Sequence, residues 1–182
     1  RNFIMSKLET NQVDPATGTT LTLGTSGDTI SVPSGVTIAN SGTATGFGKI
    51  LQVVQGSQSA QSTQSTSYGD TGLSAAIQPT STSNKILIMV NQHCYTAGDG
   101  GGSIKLVRDS TSIYTPGESY AFYFDGASID ARQYHSFNYL DSPSSTSSIT
   151  YKTQAKAYNS NAFITQNGGY FTSFITLMEV EG

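Results

Sequence analysis

The chain has 182 residues, of which 36% are hydrophobic and only 12% charged, with a formal net charge of −3. That length holds one ordinary domain plus a modest appendage, and its nine Lys and Arg form no basic run, which disfavours a nucleic-acid partner. The single cysteine excludes an intramolecular disulfide framework, and no apolar run reaches the roughly 18 residues needed for membrane insertion as a helix.

Average soluble domains carry about a quarter charged residues, so Ser, Thr, Asn, Gln and Gly must keep this surface polar. Ten Tyr and eight Phe point to strands, because aromatic and β-branched side chains suit a pleated, half-buried surface. Arg1 to Met5 is too short for the apolar region of a signal peptide. An outward-facing protein without one leaves its cell by another route, such as lysis.

Taken from the amino end, residues 1–48 read as an attachment and shaft segment. Between Asn11 and Gly48 the only charges are Asp14 and Asp28. Three units follow one another there: Thr19 to Gly24, Thr29 to Gly35 and Val36 to Gly42. Each offers an apolar–polar–apolar triplet and then a Gly-containing turn, the pattern of a very short strand with one buried face. Two apolar side chains per unit cannot offset a backbone ordering cost of roughly 1–2 kcal/mol per residue. Equivalent strands pooled from three chains around one axis can. A flexible Ser/Gly linker would not need such regular Leu, Ile and Val.

From Lys49 onward, residues 49–182 read as a globular head. Strands are expected at Ile50–Gln55, Leu73–Gln78, Lys85–Gln92, Ser103–Arg108, Tyr120–Phe124, Gln133–Leu140, Ile149–Tyr158, Phe163–Gln166 and Tyr170–Val180. Turn-rich breaks separate them at Pro79 to Asn84, Gly98 to Gly102, Ser142 to Ser148 and Asn167-Gly168-Gly169. The polar tract Gln55 to Ser67 fits an exposed edge strand or a loop. No segment holds a helical apolar period. The fold class is therefore all-β, with a short trimeric β-strand shaft followed by an antiparallel jelly-roll β-sandwich. Ile86 to Val90 is apolar on both faces, so it should be a central strand whose second face meets another subunit. Phe174, Thr176, Met178 and Val180 should face one way, and Ile175 and Leu177 the other.

The opening Met5-Ser6-Lys7-Leu8-Glu9-Thr10-Asn11-Gln12-Val13-Asp14-Pro15-Ala16-Thr17-Gly18, with the Thr/Leu/Gly units behind it, resembles the start of fibre-like virion structural proteins of tailed phages, marine ones especially. The closing Phe174-Ile175-Thr176-Leu177-Met178-Glu179-Val180 is similar to the last strand of their heads, trimeric jelly rolls of the tumour necrosis factor and complement type. This resemblance implies a homotrimer on the virion exterior, joined to other virion proteins through its amino-terminal segment. It also implies attachment to a host surface glycan or protein, with Met5 as the natural start. Capsid decoration, as a cement or head-fibre protein clamping shell subunits, is the alternative it leaves open.

No residue pattern calls for catalysis, a metal or a cofactor. Cys94 beside His93 is the only Cys/His adjacency, and strand neighbours point to opposite faces, so Cys94 reads as a buried small hydrophobe. Asp99-Gly100-Gly101-Gly102 supplies one acid where a calcium loop needs several, and reads as a loop at the sandwich tip. Asp125, Asp130 and Asp141 match no paired-carboxylate pattern. The expected function is binding without bond-breaking. Its candidate contact residues are Tyr95, Asp99, Tyr114, Glu118, Tyr120 and Tyr123, with Tyr134 and Tyr158 of the same kind. Tyrosine presents a flat apolar body and a polar tip at low entropic cost. Alternation places Tyr120, Phe122 and Phe124 on one face and Tyr123 on the other, and core or subunit packing is the competing role for these rings.

Overall fold

The computed structural model describes residues 13, 18–22, 26–36, 49–117, 120–126, 130–160, 163–165 and 170–182. Two compact units divide the chain, Arg1–Thr45 and Gly46–Gly182. In the first, every described residue is exposed and none is in a strand. Gly18, Gly27 and Gly35 take positive φ at its turns, and the Val36 amide closes one turn on the Pro33 carbonyl at 3.2 Å. Leu23-Gly24 and residues 37–42, which complete two of the three repeated units, lie outside the described residues.

The second unit is built of antiparallel strands: β1 (Ile50–Gln58), β2 (Ser62–Gln64), β3 (Gly69–Ile77), β4 (Lys85–Ala97), β5 (Gly100–Arg108), β6 (Thr111–Tyr114), β7 (Phe122–Phe124), β8 (Asp130–Asp141), β9 (Ile149–Ala157), β10 (Phe163–Thr165) and β11 (Ser173–Val180). Among the described residues no helix is long and apolar enough to cross a membrane. In the first sheet β1 pairs with β11, β11 with β4 and β4 with β8, while β10 and β2 continue alongside the far half of β4. In the second sheet the order is β3, β9, β5, with β6 and β7 both against β5. Successive long strands switch between sheets, which makes the sandwich a jelly roll.

Period-2 burial explains the two layers. Leu73 and Ile77 of β3, Ile86, Ile88 and Val90 of β4, Leu106 of β5, Ile149 and Tyr151 of β9, and Ile175 and Leu177 of β11 form one core cluster. Cys94, Ile104, Ala155, Ala157 and Phe163 form a second towards the far end. Each fully buried Leu or Ile contributes roughly 1.5–3 kcal/mol. As expected, Ile175 and Leu177 point in, while Phe174, Thr176 and Met178 point out. The outer face of the first sheet stays open in the single chain. Register aligns Val53, Met178, Leu87 and Leu140 in one row across four strands, with Val53 at 55% and Leu140 at 50% exposure.

Three sequence expectations are corrected. Gly100 to Gly102 do not form a tip loop. They open β5, are buried, and pair with Phe124, Tyr123 and Phe122. The close approach requires glycine: a Cβ on Gly101 would lie 2.2 Å from the Phe122 carbonyl oxygen. Tyr120 does not share a face with Phe122, because β7 starts at Phe122 and alternation does not extend back through the bend at Ala121. The strand expected from Tyr170 begins at Ser173, and the turn at Asn167-Gly168-Gly169 lies outside the described residues. The polar tract before Ser67 supplies both the end of β1 and the edge strand β2.

The chain enters and leaves the sandwich at one pole, where the Glu181 amide donates to the Lys49 carbonyl at 2.9 Å and Ile50 pairs with Val180. The 13 residues of β4 run from this pole to the other. At about 3.3 Å per residue that is roughly 40 Å.

Candidate functional site

At the far pole three tyrosines converge. Ala155 and Ala157 of β9 point inward, so Lys156 and the following Tyr158 point outward. The glycine backbone of β5 then holds two passing segments: the Tyr158 amide donates to the Gly101 carbonyl at 2.9 Å, and the Ala121 amide to the Gly102 carbonyl at 2.8 Å. This brings Tyr120 and Tyr123 against Tyr158. Ring centroids are 5.5 Å apart for Tyr120–Tyr123, 5.2 Å for Tyr120–Tyr158 and 5.3 Å for Tyr123–Tyr158. Tyr158 meets the other two nearly edge-on, at 86° and 82°, an arrangement favoured by the ring quadrupoles. Tyr120 and Tyr158 remain about half exposed, at 49% and 47%.

Asp99 anchors the group. Its carboxylate accepts the Tyr123 hydroxyl, and Asn159 Nδ2 donates to the Asp99 carbonyl at 3.0 Å, fixing the loop. The hydrogen bond to Asp99, then burial and the surrounding negative charge, push the Tyr123 hydroxyl up to about 12. Tyr123 is therefore neutral at physiological pH and acts as a donor. The site offers exposed aromatic faces with hydroxyl tips and one oriented carboxylate, a set suited to stacking and hydrogen bonding with a polyhydroxylated ligand.

The structure thus joins Asp99, Tyr120, Tyr123 and Tyr158, and separates the remaining candidates. Tyr95 lies on the first sheet, opposite Arg132, whose guanidinium sits 4.7 Å from the ring centroid. Burial and then the Asp130 carboxylate raise its hydroxyl pKa. Tyr114 lies on β6 at the open side of the sandwich, stacked at 5.4 Å on Tyr139 and 5.5 Å from Phe137, in a packing role. Glu118 lies outside the described residues. Tyr134 packs on His93 at 5.3 Å. Asn159 escaped the sequence reading, and its position directly after an outward Tyr at a strand end is the signal that could have found it.

Cys94 and His93 do face opposite ways. Cys94 is fully buried in the second core cluster, and burial raises its thiol pKa far above neutrality. His93 stacks on Phe171 at 3.9 Å on the outer face. Among the described residues no group of three His, Cys, Asp or Glu could hold a metal ion.

No family model matches the chain, and no curated protein matches it. Among solved structures it is similar to the VP2 subviral particle of infectious bursal disease virus, at 15% identity and a TM-score of 0.38, covering 71% of this chain and 38% of that one. It is also similar to the Gt strain structure of the same virus, at 12% identity and a TM-score of 0.35, covering 71% of this chain and 40% of that one. Dimeric latent PorU from Porphyromonas gingivalis matches at 12% identity and a TM-score of 0.32, covering 73% of this chain and 13% of that one. The chain spans less than half the length of each.

Proposed function

We propose that this chain is a non-enzymatic virion surface protein that attaches to a host glycan or protein through the tyrosine pole. The observation that carries the reading is the Tyr120–Tyr123–Tyr158 group, with Tyr120 and Tyr158 exposed and Tyr123 held by Asp99, at the pole opposite the chain entry. Large aromatics held rigid at a surface give contact area at low entropic cost. Copies associate as a homotrimer through the open outer face of the first sheet, where the Val53–Met178–Leu87–Leu140 row offers apolar area. Residues 1–48 join the assembly to other virion proteins. Three weak sites on one rigid trimer give avidity for a repetitive surface.

Adherence of the full-length protein to intact host cells tests the reading. A Tyr120→Ala/Tyr158→Ala variant should lose at least about tenfold in adherence, the equivalent of 1.4 kcal/mol, with unchanged melting temperature and sedimentation. Unchanged adherence rejects it. Electron microscopy that finds the protein at shell lattice points, with adherence unaffected, favours capsid decoration instead. Fragments released from host polysaccharide would show an enzyme.

A further inference from the structure

We infer that the outer face of the second sheet carries an anion subsite beside the tyrosine pole, formed by Lys105, Lys156 and Tyr68, which takes the carboxylate or sulfate group of an acidic surface glycan. This rests on the attachment reading above and names the ligand class.

The subsite is built by alternation. Lys105 of β5 and Lys156 of β9 both project outward, since Ile104 and Ala155 beside them are core residues. Tyr68, just before β3, lies over them. Its ring centroid is 4.4 Å from Lys105 Nζ and 5.0 Å from Lys156 Nζ. The ring is held in place: the Ser103 hydroxyl donates to the Gly117 carbonyl, so the Tyr68 hydroxyl donates to Ser103 Oγ, at 2.8 Å. The recess around them, about 320 Å³, is completed by Ser112 and Thr115.

Charge is the reason to expect a ligand. The neighbouring basic side chains of this sheet have acids, Lys152 with Asp70 at 2.8 Å and Arg108 with Asp141 at 2.9 Å. No carboxylate lines the recess among the described residues. Two ammonium groups drawn to one ring sit within about one Debye length, roughly 10 Å at 0.1 M salt. Attraction to the ring is weak at an exposed site. An oxyanion between them offsets their repulsion, and the Ser112 and Thr115 hydroxyls can donate to it.

Position decides the class. Lys156, the last outward residue of β9, and Tyr158, the residue directly after the strand, are two positions apart, a spacing of about 7 Å. One sugar stacked at Tyr158 therefore places a charged substituent of the same or next ring at the lysines. The shared chemistry is an oxyanion carried on a sugar.

Calorimetric titration of the full chain with oligogalacturonate, sulfated dextran oligosaccharide, neutral dextran oligosaccharide and sodium sulfate tests this. Either acidic sugar should bind at least tenfold tighter than the neutral one. Lys105→Gln/Lys156→Gln should abolish that preference, Lys105→Arg/Lys156→Arg should keep most of it, and Lys152→Gln should leave it unchanged, all at unchanged melting temperature. Equal binding of neutral and acidic sugars, acidic binding that survives the Gln pair, or sodium sulfate binding as tightly as the sugars overturns the assignment. The two readings fail separately. If the tyrosine pair loses cell adherence while the Gln pair binds acidic sugars normally, the anion subsite alone falls. If acidic sugar binding depends on the lysines while the tyrosine pair still adheres to cells, the tyrosine attachment reading alone falls.

Discussion

Arg108 and Asp141 tie the two sheets together, with Arg108 Nη1 donating from the end of β5 to both carboxylate oxygens at 3.0 and 2.9 Å. The fully buried Tyr151 donates its hydroxyl to the same carboxylate at 2.7 Å. Removing the acceptor leaves a cation and a buried hydroxyl uncompensated. Asp141→Ala should cost about 3–5 kcal/mol in urea unfolding, and Tyr151→Phe about 1–2 kcal/mol.

Glu179 should govern stability in acid. It points inward at the entry pole and is fully buried. Burial alone would raise its pKa, but Asn84 Nδ2 at 2.6 Å, Gln52 Nε2 at 2.6 Å, and the Thr80 amide and hydroxyl at 2.7 and 2.8 Å all donate to it. They override burial and hold it at about 2. The folded value is thus below the unfolded value of about 4.3. Its contribution, on the order of 2–3 kcal/mol, is complete above that value and is lost as pH falls towards 2. Glu179→Gln should be destabilised at pH 7 and approach the parent near pH 2 in parallel melts.

His93 and His135 add a second pH dependence at milder acidity. Burial, and for His93 also the charge of Arg132, lowers both pKa values. The unfolded chain then binds more protons just below the ordinary value of about 6.5. Melting temperature should fall as pH drops from 7.5 to 5, and His93→Gln should remove part of the fall. An identical slope in that variant would contradict it.

Glycine at 101 and 102 should be irreplaceable. A Cβ on Gly102 would meet the Phe163 ring at 2.4 Å, whereas at Gly101 the obstacle is backbone at 2.2 Å. Overpacking costs roughly 1–3 kcal/mol. Gly101→Ala should reach the upper end, since a peptide group cannot rotate away as a ring can. Reduced melting temperature and loss of tyrosine fluorescence anisotropy at the far pole are the readouts.

Sedimentation should give a trimer mass for the parent. Val53→Lys/Leu140→Lys, which places two charges in the exposed apolar row, should give a folded monomer. A parent that sediments as a monomer would reject the shared-face arrangement.

The long apolar strands were legible because short runs of Ile, Leu, Met and Val bounded by turn residues fit a central strand with both faces covered. Ile86 to Val90 and Ile175 to Leu177 needed no context. The far half of β4 was not, because its inward Cys94 is flanked by Gln92 and Thr96, both fully buried polar groups, so the apolar signal weakens while the strand continues. Gly100 to Gly102 read as a loop for a similar reason: their requirement is set by Phe122 and Phe163, distant in sequence. The tyrosine cluster was half legible. Tyr120, Tyr123 and Asp99 could be named from composition, but their meeting with Tyr158 depends on β5, β7 and β9 lying side by side.

The shared pole of Lys49 and Gly182 has a practical corollary for anyone handling the protein. A purification handle, fluorophore or sensor-chip linkage joined after Gly182 sits about 40 Å from Tyr158, along the length of β4. Immobilised that way, the sandwich turns its aromatic pole away from the support, ready to be challenged with saccharides.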